Sequence, residues 1–241
     1  MEMKIKTIFG LVSVLSLFAL CACATDADGD DGFDAGTVCP VEGMNAYGMP
    51  NRGTFVDERD GQEYKYTTIG DQVWMAQNLN YETYYSRIRE EECAECGRWY
   101  NLGINLPNRD IMDSVCPAGW RIPSTEDWST LLMTVGSISM ALKVLLSESY
   151  NEHFQGTNVC GFNGVETGFI QMTKGNDLLN DWNSIWWWTR TMVSAYDIML
   201  INFWADKSTN GVEITTKYYY SPNNTYGSSY SYHTLRCIKD L

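Results

Sequence analysis

The sequence predicts an α+β domain with central helices and mostly antiparallel strands, on three observations. Apolar residues recur at helical spacing in the middle of the chain, between Asn108 and Leu146. Segments that alternate apolar and polar side chains, rich in Tyr, Thr, Val, Ile and Trp, lie before and after that stretch. Gly, Asn, Asp and Ser separate the later segments, so each reads as a short strand ended by a turn. Helices grouped between blocks of strands indicate α+β rather than alternating crossovers. The chain has 241 residues; Thr54 to Leu241 is one domain's worth, with no internal repeat.

Along the chain, the first element is a secretory signal. Lys4 and Lys6 form a basic head, Ile8 to Leu20 is an uncharged apolar run, and small residues follow. The run is shorter than the ~20 residues that a bilayer-spanning helix needs. It ends in Leu20-Cys21-Ala22-Cys23, which resembles the lipobox of bacterial lipoproteins. That resemblance implies removal of residues 1–22 and acyl chains on Cys23. Cys21 fits less well behind the bulky Leu20, and plain secretion with cleavage near Ala24 is the alternative. Residues 23–53 read as an acidic flexible tether, with Asp26, Asp28, Asp30, Asp31 and Asp34 among Gly and Ala. They do not make a calcium loop: Asp31 stands where the turn glycine belongs, and Thr37 where a bidentate Glu belongs. Acidic residues behind the lipidated Cys resemble the sorting signals of surface-exposed lipoproteins. Export, an outer-membrane anchor and outward display are the expectation.

The domain itself opens with a hairpin over Thr54–Ile69, turning at Asp60-Gly61. A second short strand covers Gln72–Met75. A helix is expected over Asn108–Val115, just after Pro107. Another starts behind Ser124 as N-cap, with Glu126 and Asp127 in its first turn. Trp128, Leu131, Leu132 and Val135 share its apolar face; Ile138, Leu142, Leu145 and Leu146 continue the pattern past Gly136. Strands are then expected over Gly168–Met172, Ile185–Thr191, Ile198–Trp204, Val212–Tyr220 and Thr234–Lys239.

Charge and cysteines narrow the function. The net charge is −13, and no block of basic residues occurs, which excludes phosphate-backbone binding; no nucleic-acid partner is expected. Besides Cys21 and Cys23 there are Cys39, Cys93, Cys96, Cys116, Cys160 and Cys237, an even set that suits disulfides in an oxidising compartment. Cys93-Ala94-Glu95-Cys96 also leaves open a redox pair or half a zinc site. Against these, no buried strand precedes it, and the other four cysteines of the set are scattered where a zinc site wants a second close pair.

One resemblance is specific. Ile69-Gly70-Asp71-Gln72-Val73-Trp74-Met75-Ala76-Gln77-Asn78-Leu79-Asn80-Tyr81, then Cys96-Gly97-Arg98-Trp99-Tyr100, then Cys116-Pro117-Ala118-Gly119-Trp120-Arg121-Ile122-Pro123-Ser124, and finally Leu235-Arg236-Cys237-Ile238-Lys239-Asp240 occur in order. They resemble the Fibrobacter succinogenes major paralogous domain over about residues 54–240. Members are typically exported, often as lipoproteins, with a largely undefined biochemical role. Trp186-Trp187-Trp188-Thr189 departs from the aromatic-Trp-Ser-Ser run frequent there. The chain also resembles, at a distance, the C-type-lectin-like fold, in which a Cys after the first helix pairs with one in the last strand. The resemblance implies a Cys116–Cys237 disulfide; Cys39, Cys93, Cys96 and Cys160 then allow three pairings. The calcium-binding triplets of sugar-binding lectins are missing, since Trp182-Asn183-Ser184 lacks the carboxylate, so no metal and no cofactor is expected.

Catalysis has little support in the sequence. The formylglycine-generating enzymes, of related fold, use a reactive Cys pair without counterpart near this C-terminus. His153 and His233 stand by no nucleophile motif, and Asp110/Asp113 and Glu126/Asp127 suit helix capping. The remaining candidate surface is aromatic: Trp186, Trp187 and Trp188, with Tyr218, Tyr220, Tyr226 and Tyr230 in a Ser/Asn/Gly-rich stretch whose composition suits adaptable binding loops. Core packing is the competing reading of the same residues. The expectation is a surface-anchored, non-enzymatic module that binds an extracellular protein or polysaccharide. A structural envelope protein without a saturable ligand and an uncharacterised enzyme are the alternatives.

Overall fold

The computed structural model describes residues 32–88, 93, 95–102, 112, 114–148, 155–173, 176–180, 184–194, 197–205, 210–218 and 231–240. Cys23, the signal segment, His153 and most of the expected Asn108–Val115 helix lie outside them. A short helix α1 (Ala35–Val38) precedes the hairpin of β1 (Arg52–Val56) and β2 (Glu63–Ile69), which pair antiparallel with Arg52 opposite Thr67. Asp57 to Gly61 make the turn: the Gly61 N–H donates to the Asp57 carbonyl at 2.8 Å, and Gly61 takes φ +78°, which suits glycine. β3 (Gln72–Met75) follows, then β4 (Ser86–Arg87), β5 (Trp99–Tyr100) and β6 (Trp120–Arg121).

Helices α2 (Thr125–Val135) and α3 (Ile138–Leu145) come next. Ser124 caps α2 as expected: its Oγ accepts from the Asp127 N–H, and the Asp127 carboxylate accepts from the Ser124 N–H at 2.6 Å. Arg121 then clamps the cap, donating to both Asp127 oxygens at 2.6 and 2.9 Å, and lies 3.4 Å from Asp240. Burial works against the Asp127 charge, but the Arg121 and Ser124 bonds outweigh it and hold its carboxyl below the usual range. Ser124→Ala removes half of this box and is expected to cost about 1 kcal/mol, seen as a fall in Tm of roughly 2–4 °C. Trp128, Leu131 and Val135 are buried as the periodicity requires; Ile138, expected on the same apolar face, is 41% exposed, and α3 buries Ala141, Leu142, Val144 and Leu145.

The remaining strands are β7 (Phe169–Thr173), β8 (Asn176–Asn180), β9 (Ser184–Met192), β10 (Asp197–Ala205), β11 (Asn210–Tyr218), β12 (Ser231–Thr234) and β13 (Ile238–Lys239). They form two sheets, β1-β2-β3-β13-β6 and β11-β10-β9-β12-β5-β4, with the β7–β8 hairpin on β12. The architecture is α+β. The single last strand expected over Thr234–Lys239 is two strands in different sheets, joined through Leu235–Cys237.

Three disulfides tie the described residues. Cys116 and Cys237 are bonded with Cα atoms 6.0 Å apart, inside the range such a bond needs. The other four pair as Cys39–Cys160 and Cys93–Cys96. Each long bond spans 121 residues, and the second begins inside the first. The tether expected to reach residue 53 ends earlier. Phe33, Ala35 and Val38 pack on the apolar cluster around Trp128, Cys39 is buried, and Gly70 donates its N–H to the Val38 carbonyl. Their apolar area stabilises them against the core, so residues 32–53 belong to the compact unit.

Candidate functional site

The three tryptophans among the aromatic candidates do not form a surface. β10 and β12 pair with the two edges of β9, and each of its faces packs on an apolar cluster. Trp186 and Trp188 join the cluster around Tyr100 and Trp120, while Trp187 joins the opposite cluster with Trp74, Trp128 and Phe203. Trp187 is stacked on Trp128 at 5.2 Å. Each indole N–H is satisfied internally, by Ser184 Oγ, Asn78 Oδ1 and the Tyr100 carbonyl respectively. Of the two readings of these tryptophans, binding surface and core packing, the second holds: all three are buried. The backbone of Tyr218 ends β11, while Tyr220, Tyr226 and Tyr230 lie outside the described residues. His233 is buried and packed on Phe169, Trp186 and Trp188, a structural position.

A polar cleft of about 690 Å³ lies elsewhere. Arg52 and Thr54 of β1 face it beside Lys65 of β2, because residues two apart on a strand share a face and Thr54 stands opposite Lys65. The segment leaving β3 adds Gln77, Asn78 and Asn80. The Cys93–Cys96 turn adds Glu95 and Gly97, and the loop before β7 adds Asn158 and Asn163. Gly97 is required here: it has φ +69°, and a Cβ would stand 2.7 Å from the Leu79 carbonyl oxygen. Asn158 and Asn163 both adopt left-handed backbone, which Asn tolerates, and bond each other through side chain and N–H.

Behind the cleft is a buried cation. Arg236, fully buried, donates to Asn78 Oδ1 from Nε at 3.1 Å and from Nη2 at 2.8 Å. It also donates to the Phe162 and Asn163 carbonyls, and its guanidinium lies 4.4 Å from the Phe162 ring centre. Burial lowers its pKa to about 9, so it remains charged at neutral pH. Among the described residues no carboxylate bonds it; Asn78 is its polar anchor, and the Asn78 amide nitrogen donates to the Cys96 carbonyl at 3.0 Å. Sequence reading quoted both residues only as parts of a signature. Their pairing spans 158 residues and leaves no local pattern.

Among the described residues, Glu95 is the one carboxylate that lines the cleft. Asp57, whose carboxyl is held low against burial by bonds from Arg59, is committed to its own ion pair at 2.7 Å. Among the described residues no cluster of three or more His, Cys, Asp or Glu has the placement to hold a metal. In comparisons with known proteins, the model of the Fibrobacter succinogenes major domain matches residues 67–239. No curated protein and no solved structure matches the chain.

Proposed function

The chain belongs to the Fibrobacter succinogenes major domain family, and from that premise we propose that it is an exported, lipid-anchored module that binds an extracellular protein or polysaccharide without catalysis. The observation that carries this reading is the cleft, a polar hollow on a frame held by disulfides and a buried Arg–Asn pair. Ordered polar groups held by a rigid frame suit recognition, because little conformational freedom is lost on binding. Anchoring rests on the basic head, apolar run and Leu20-Cys21-Ala22-Cys23 ending. A C-type-lectin-like character of the fold belongs to the same proposal. It is supported by the terminal strand β13 lying beside β3 and by the Cys116–Cys237 bond.

Two measurements test it. In the native host, Cys23→Ala should abolish incorporation of labelled palmitate and release the protein from membranes; persistent labelling would place the anchor elsewhere. Arrays of glycans and extracellular proteins probed with the full chain in mild detergent should give saturable binding to some member, with no product released. Turnover of a bound glycan would instead make it an enzyme.

A further inference from the structure

We propose that the cleft binds a neutral, hydroxyl-rich saccharide chain, recognised by amide side chains rather than by charge. This rests on the binding-module reading above and names its ligand class. Six of the lining residues are amides: Gln62, Gln77, Asn78, Asn80, Asn158 and Asn163. An amide offers both a donor and an acceptor, and so does a sugar hydroxyl, so each can satisfy the other in either sense. The apolar side chain lining the cleft besides the Tyr66 ring is Ala76, which gives a lipid or an apolar peptide anchor little to bury.

Charge points the same way. Arg52, Lys65 and Glu95 line the cleft, and Glu63, outside that lining, accepts from the hydroxyl of the lining residue Thr54 at 3.1 Å. Two lining cations thus stand with one lining carboxylate and a second beside Thr54, so charges of both signs are present and a ligand of either sign meets a like charge. Arg52 is further committed, donating to the Cys39 and Val159 carbonyls.

The amides divide into a fixed wall and an open rim. Asn78 is spent on Arg236, Trp187 and Cys96, and Asn158 and Asn163 are spent on each other. On the rim, Gln77 accepts the Lys65 N–H with Oε1, and Gln62 Oε1 takes a 3.4 Å bond from Asn80 Nδ2. Asn80 Oδ1 is buried without a partner. A ligand hydroxyl that reached this acceptor, on a residue lining the cleft, would relieve its desolvation. The volume, about 690 Å³, falls within the ~300–1,000 Å³ of clefts that enclose small ligands or chain segments.

The test uses the full chain in mild detergent, in affinity gels cast with mixed-linkage β-glucan, xylan or glucomannan, with polygalacturonate, or with a protein digest. At least one neutral polysaccharide should retard the chain, equally at low salt and in 0.5 M NaCl. Gln77→Ala with Asn80→Ala should weaken that binding by roughly tenfold or more, and Gln62→Ala with Gln77→Ala likewise, at unchanged Tm. Lys65→Ala should change it by less than about threefold. Retardation by polygalacturonate alone, lost in salt, would make the ligand anionic and overturn the proposal; retardation by the digest alone would make it a peptide. Neutral-polysaccharide binding untouched by both amide pairs moves the site away from the cleft while the module reading stands. Absence of binding to every probe sinks both.

Discussion

Asn78→Ala is expected to cost about 3–5 kcal/mol of stability, among the largest effects of any single substitution in this chain. The reason lies in what the amide leaves behind. Its Oδ1 accepts two bonds from the Arg236 guanidinium and one from the Trp187 indole N–H, and its Nδ2 satisfies the Cys96 carbonyl. Alanine strips the main acceptor from a fully buried cation that has no carboxylate partner among the described residues. Arg236→Met should cost less, because it removes the charge together with its demands and leaves only carbonyls short of a donor. The double variant should therefore lie well below the sum of the two. Urea denaturation of the three variants measures this; an Asn78→Ala cost below about 1 kcal/mol, or simple additivity, would mean that the pair is not the anchor described here.

Loss of the Cys116–Cys237 bond is the second large effect. Crosslinking a span of 121 residues removes much of the freedom of the unfolded chain, about 4–5 kcal/mol in the entropy model. Cys116→Ser with Cys237→Ser should lose most of that, lowering Tm by on the order of 10 °C or more. Cys93–Cys96 closes a separation of only 3, for which the same relation gives about 2 kcal/mol. A ranking in which the short bond matters more than the long one would count against the entropic account. Thermal melts of the two double variants, kept oxidised, decide it.

Much of the frame is legible in the sequence because its signals are local. Ser124 with Asp127 is a capping box, Asp60-Gly61 is a turn, and apolar alternation marks β2, β9 and β10. Three features are not local. Alternation over Thr234–Lys239 gives one strand, yet Arg236 turns inward to bond Asn78, and the chain changes sheets there. Trp186 to Trp188 look like an excess of aromatic surface until both faces of β9 are seen to carry an apolar cluster. Acidic composition around Asp34 reads as tether, but Phe33, Val38 and Cys39 are enough apolar area to dock. The cleft was invisible for the same reason: Arg52, Gln77 and Asn163 meet only after the fold is made.

The overlap of the two long disulfides has a topological consequence wherever the chain meets a protease. Cys39–Cys160 and Cys116–Cys237 are interlaced, so a single proteolytic cut anywhere between residues 39 and 237 leaves at least one covalent bridge between the two pieces. A nested arrangement would also retain both pieces, but two consecutive bridges would let a cut between them release one. Here a nick in any loop of that stretch sheds nothing: the C-terminal piece stays attached to whatever holds the N-terminus until a reductant or a second cut arrives.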